Sequence, residues 1–294
     1  MTHELLLTLQ DLRMDLPDVF TSAMLFMSSP LVYLGIPLAF ATVIFLCMDK
    51  KLGEWIMLNM AVGMLFGHFL KDIICNPRPW VADDRIHPEE RALKGAGGYS
   101  TPSGHSTDST TGFLSPAVAV RRWWFSIMMV AIMLTIMFSR LFLGVHTLLD
   151  IVTGALLALA VMTADWILLK ISYSDESRYD SVSVVLLLIL ITVCLIWTMI
   201  TEDHREMICY GAFVLGTITG RLLEHHLIGY EAKDGSFKMN LFRAASGLTI
   251  VGLLFLVPYL TLGYDPGVTI GGLLAPLGLF VVSPAIIKRA GLNN

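Results

Sequence analysis

The chain has 294 residues, 55% of them hydrophobic and 15% charged, with a formal net charge of −4 and a mean hydropathy of +0.70. Soluble domains carry roughly 25% charged residues, so the composition excludes an ordinary soluble domain and points to a membrane. So small a negative charge offers no surface for nucleic acid, and four scattered cysteines without a CxxC pair signal neither a zinc knuckle nor a disulfide framework.

The first residues, MTHELLLTLQDLRMDLPDVF, lack the basic start and unbroken apolar stretch of a signal peptide. Leu5, Leu6, Leu9, Leu12 and Met14 predict an amphipathic helix on the membrane surface, within an interfacial segment 1–28. Apolar runs then follow at 30–48, 54–71, 109–120 (continuing from a polar start at Ser103), 123–141, 147–170, 183–200, 207–223, 244–262 and 267–287. Together they predict nine spanning helices. Pro258, Gly271, Gly272 and Pro276 interrupt the last two. The expected fold is an all-α polytopic transmembrane bundle, with a membrane-embedded core over 29–200 and additional transmembrane helices over 201–294.

Basic residues in short loops set the expected orientation. Lys50, Lys51, Arg121, Arg122, Lys170, Arg178, Arg221, Lys233, Lys238, Arg243, Lys288 and Arg289, twelve in all, gather on one side. Seven fall on the other: Lys71, Arg78, Arg85, Arg91, Lys94, Arg140 and Arg205. The first side is expected to be cytoplasmic, which leaves the 71–105 loop and the 139–147 turn together on the opposite side.

Three segments on that side carry unusual polar residues. In KDIICNPRPW, Lys71 to Trp80, two prolines stop the helix and display Arg78 from a stiff extended stretch. In GAGGYSTPSGHSTDS, Gly95 to Ser109, Ser103 is the expected N-cap of a helix. The N–H groups of Ser103, Gly104 and His105 then face an anion site. In SRLFLGVHTLLD, Ser139 to Asp150, His146 and Asp150 are four apart, hence on one helical face. There the carboxylate can hold Nδ1–H and leave Nε2 to react. Arg140 lies about 120° away on a continuous helix, so the helix is expected to break at Gly144. Singly, each segment has an ordinary explanation: a snorkelling Lys and Arg, a helix cap, a self-satisfied His–Asp pair. Jointly they place three cations and two histidines together, and such a cluster repels itself unless an anion such as phosphate sits in it.

K-x6-R-P at Lys71 to Pro79, P-S-G-H at Pro102 to His105 and S-R-x5-H-x3-D at Ser139 to Asp150 resemble the signatures of the type-2 phosphatidic acid phosphatase superfamily. The resemblance covers about residues 55–170 and implies a six-helix-like core performing metal-independent dephosphorylation of lipid phosphates, with no cofactor. The three extra C-terminal helices resemble the sphingosine-phosphate phosphatase branch.

The residues read as follows. His146 is the nucleophile, oriented by Asp150, and His105 protonates the leaving group and later activates water. Lys71, Arg78 and Arg140, with the N–H groups of Ser103 and Gly104, bind phosphate. The partner is a lipid phosphate or pyrophosphate, reached from the extracytoplasmic side of a bacterial inner or plasma membrane. A phosphotransferase, with a hydroxyl acceptor in place of water, would use the same residues. A transporter gains nothing from a P-S-G-H helix start, and a metal hydrolase lacks HExxH or another ligand cluster. Asp108 is expected to cap or meet solvent rather than tune His105, Cys75 to pack, and His68 to pack or to support a site residue from one turn before Lys71. His87, His204, His225 and His226 are expected to lie outside the chemistry.

Overall fold

The computed structural model describes residues 2–202, 204–232 and 235–292. Among these residues every regular element is helical. A bilayer offers backbone groups no water, and a helix satisfies them within one segment. Among the described residues eight helical stretches are long and apolar enough to cross a membrane: Asp18–Cys47, Lys50–Ala82, Trp123–Phe142, Leu148–Ser172, Arg178–Ile200, Arg205–Ile228, Phe237–Leu262 and Asp265–Arg289. The chain is an all-α polytopic bundle.

The ninth expected span, 103–120, is helical but short. It consists of three abutting pieces, Gly104–Ser109, Thr110–Leu114 and Ser115–Val120, of which the middle one is a π-turn. Pro116 lacks an N–H and leaves the preceding turn without its usual bond, a recognised cause of such widening. Gly112 in that turn is required by packing, since a Cβ there would come within 2.6 Å of Pro37.

The first candidate span begins at Asp18 rather than at residue 30, because Pro30 sits in helical geometry and Leu31–Gly35 continue the helix as a π-turn. The preceding helix Thr2–Asp15 buries Leu6 and Leu9 against Ile86, Met137, Leu141 and Ile151. Leu5, Leu12 and Met14 stay exposed. Its apolar stripe is therefore divided between the protein and its surroundings. Pro258 and Pro276 interrupt neither of the last two helices, in line with the tolerance of proline in transmembrane helices.

The chain divides into two compact units, Met1–Pro37 with Phe66–Met162, and Leu38–Leu65 with Thr163–Asn294. Lys71, Arg78, Ser103, Gly104, His105, Arg140, His146 and Asp150 all belong to the first. The second unit is held by close helix packing: a Cβ at Gly216 would lie 2.4 Å from the carbonyl oxygen of Leu273. Phe45 packs edge-on to Phe280 at 5.1 Å in the same unit.

Candidate active site

Lys71 ends the helix Lys50–Ile74. The chain leaves that helix through Cys75 in a left-handed conformation, and Arg78 follows extended, as the N-cap of a short turn opened by Pro79. Its guanidinium is fixed on several sides. It donates to the carbonyls of Gly97 at 2.5 Å, Gly98 at 3.1 Å and Val145 at 3.1 Å, and to Nε2 of His146 at 3.0 Å. The glycine-rich stretch thus supplies carbonyls that hold arginines.

Ser103 caps the next helix, its Oγ accepting from the Ser106 N–H at 3.4 Å. Its own N–H donates to the carbonyl of Asp150 at 2.9 Å. That corrects the expectation that the Ser103 N–H faces an anion: it ties two segments together instead. The N–H groups of Gly104 and His105 remain in the first turn, where intrahelical bonding does not reach. A Cβ at Gly104 would lie 3.0 Å from His68 Nε2 and 3.6 Å from Lys71 Nζ. Absence of a side chain lets both cationic-type groups close on this turn. His68, expected to pack or to support a site residue from one turn before Lys71, is brought against the Gly104 turn. His105 directs Nε2 to the Ser28 carbonyl at 3.1 Å and lies 4.4 Å, ring to ring, from Tyr33. Asp108 is 5% exposed, which overturns the expected solvent contact.

The helix Trp123–Phe142 stops where expected, with Gly144 at φ +73. His146 is not on the following helix, which begins at Leu148; it sits in the turn before it. The His–Asp proximity therefore arises from a capping box rather than from one helical face. Thr147 N–H donates to Asp150 Oδ2 at 2.6 Å, and Asp150 N–H donates to Thr147 Oγ1 at 3.3 Å. Asp150, fully buried, also accepts from Ser100 Oγ at 2.7 Å, from Asn76 Nδ2 at 3.5 Å and from Thr101 Oγ1.

His146 Nδ1 lies 3.7 Å from Asp150 Oδ2 and 3.5 Å from Ser100 Oγ. The first distance is long for a hydrogen bond but short for charge stabilisation. The other face of the ring decides the tautomer. Arginine can only donate, so Nε2 facing Arg78 must accept, and the ring proton is assigned to Nδ1 on the Asp150 side. Burial pushes the imidazole well below its ordinary pKa; Asp150 opposes this, while Arg78, Arg140 and Lys71 add to the lowering. His146 is thus a neutral base with its lone pair turned to the cations. Arg140, 2% exposed, donates to the Gly95 carbonyl at 3.3 Å, and its Nε has no partner. With His105 it borders a cavity of about 310 Å³.

The geometry thus joins Lys71, Arg78, Gly104, His105, Arg140, His146 and Asp150 in one unit. It adds Asn76, Ser100, Thr101 and Ser28, which no sequence signal had marked. The sequence profile of the PAP2 superfamily matches residues 54–172, a stretch that contains every expected site residue. An undecaprenyl-diphosphatase of Sulfolobus acidocaldarius is 26% identical over 125 residues, 42% of this chain and 58% of the relative. The chain therefore spans a little over half the length of the curated relative it matches. No solved structure matches it. Motifs, their convergence in one fold unit and the matching profile agree: over residues 54–172 the chain is similar to the PAP2 superfamily.

Proposed function

We propose that the protein is a lipid phosphatase that hydrolyses a lipid phosphate or lipid diphosphate without a metal, through phosphohistidine at His146. The observation that carries this reading is the His146 ring, whose Nε2 lone pair faces Arg78 at 3.0 Å with Asp150 behind Nδ1. A phosphoryl group held by Arg78, Arg140 and Lys71 meets that lone pair directly. The Nε2–P bond forms as the P–O bond breaks, and the electron pair leaves on oxygen, which takes a proton from His105. Asp150 stabilises the imidazolium that develops. Water, deprotonated by His105, then attacks phosphorus and releases inorganic phosphate and free His146. Three buried cations supply the charge stabilisation that a metal supplies in other phosphatases. The similarity to an undecaprenyl-diphosphatase supports a lipid substrate.

The test is a rapid alkaline quench with a polyprenyl diphosphate labelled in its terminal phosphate. Acid-labile label is expected on the wild type, absent from His146→Ala and persistent in His105→Ala, with turnover surviving excess chelator. Label retained by His146→Ala would mean another nucleophile.

The same reading places the site on the extracytoplasmic side. Of the twelve basic residues assigned to the cytoplasm, Arg221 and Arg243 are buried and Lys233 lies outside the described residues. The other nine still outnumber the opposing set, in which Lys71, Arg78 and Arg140 are retained by chemistry. In a cysteine-free background, cysteines placed in the 82–94 loop are expected to react with an impermeant maleimide in intact cells. One at Ser174 should react only after permeabilisation, and the reverse pattern would invert the orientation.

A further inference from the structure

Resting on the phosphohistidine reading, we infer that the cavity beside His105 is a second phosphate subsite, built by the first span, which selects lipid diphosphates over monophosphates. The side of the reacting phosphorus on which the leaving group departs is the side that His105 protonates. The cavity of about 310 Å³ lies there, bordered by His105, Arg140, Ser28, Ser29, Leu25 and Pro30. Four of these six come from residues 25–30, which precede the family-matched stretch 54–172.

Two buried polar atoms of this lining lack partners: Arg140 Nε and Ser29 Oγ. Among the described residues Arg140 has no carboxylate partner either, and its one protein bond is to the Gly95 carbonyl. A buried guanidinium without a counter-charge is costly, and a buried hydroxyl without a partner adds to that cost. Arg91 also borders the cavity but is already neutralised, by Asp18 at 2.5 Å and Glu89 at 2.6 Å. The excess positive charge is therefore Arg140's.

A lipid monophosphate satisfies only part of this lining: its phosphoryl meets Arg140 at the reaction site, and Ser29 Oγ and the Nε edge of Arg140 gain no anion. Its leaving oxygen is bonded to carbon, so a CH₂ group would face the guanidinium and the hydroxyl. A lipid diphosphate fits: His146 attacks the terminal phosphorus, the bridging P–O bond breaks, and the electron pair stays on the departing lipid monophosphate. Arg140 and Ser29 meet that anion, while Leu25 and Pro30 offer an apolar wall to the first carbons of the chain. The segment is anchored for the purpose. Ser28 accepts from His105 through its carbonyl and shares a 2.6 Å hydrogen bond with Ser139, the residue before Arg140.

The experiment compares kcat/KM of the full-length protein for a polyprenyl diphosphate and the polyprenyl monophosphate of the same chain, in wild type, Ser29→Ala and Ser29→Thr. Wild type is expected to prefer the diphosphate. Ser29→Ala should lower the diphosphate-to-monophosphate ratio about tenfold, and Ser29→Thr, which keeps the hydroxyl, should largely restore it. An unchanged ratio in Ser29→Ala, or equal turnover of both lipids by the wild type, overturns the subsite while label on His146 still forms. No label on the wild type from either lipid overturns the phosphohistidine reading and the subsite with it.

Discussion

Each fold unit buries arginine, and the two units treat it in opposite ways. In the second unit Arg221 is fully buried against Glu54, Nε to Oε2 at 2.8 Å, with its guanidinium 4.0 Å from the ring of Tyr179. Tyr173 donates to the same carboxylate at 2.7 Å. Lys50 pairs with Glu224, and the Tyr230 N–H donates to that carboxylate at 2.6 Å. Arg221 and Lys50 there each meet a carboxylate. In the first unit Arg140 is buried without one, and Lys71, Arg78 and Arg140 share a site whose own carboxylate, Asp150, is already engaged by Ser100, Thr101 and Thr147. Burial of charge alone is thus a poor marker of function in a membrane protein. A cluster whose charges cancel internally is built to hold helices together, and one left positive is built to receive an anion.

Paired substitutions sharpen that contrast. The largest effect is expected from Arg140→Ala, which should lower kcat/KM by about 10²–10³ while leaving the melting temperature unchanged or raised. An unfolded Arg140→Ala protein would place Arg140 in the structural class. Arg221→Ala should do the reverse. Removal of one partner leaves Glu54 buried and unpaired, which costs about 3–5 kcal/mol, read as a lowered denaturation midpoint, while kcat per folded molecule stays the same. Loss of turnover in folded Arg221→Ala would dissolve the distinction. The smallest effect falls on the turn that presents His146. Thr147→Ala removes the acceptor of the Asp150 N–H, half of the capping box, and should cost about 1 kcal/mol, checked by thermal denaturation; no loss at all would mean that the turn is already held by the Asp150 carboxylate through the Thr147 N–H.

Several features were legible in the chain itself. Apolar runs near the thickness of a bilayer require helices, because no other single segment satisfies its own backbone there. The break at Gly144 followed from the need to turn Arg140 and His146 to one side, and φ +73 is a conformation that glycine adopts at little cost. The three motifs were visible because each is local, a few residues long, and contains charge where charge is expensive.

Other features had no local trace. The carboxylate of Asp150 is held by Asn76, Ser100 and Thr101, 74, 50 and 49 residues away, and small polar residues at such separations form no pattern. The N–H of Ser103 reads as a free helix-start donor until the fold brings the Asp150 carbonyl to it. His146 and Asp150 satisfy an i,i+4 rule by number, yet the helix starts between them. Spacing fixes a face only inside a helix, and where the helix begins depends on the cap. The compensation of Arg221 and the isolation of Arg140 are the deepest such case. The two residues look alike in sequence, one basic side chain near the end of an apolar run. Only the tertiary structure decides which meets a carboxylate, because a counter-charge acts over a few ångströms of space and at any distance along the chain.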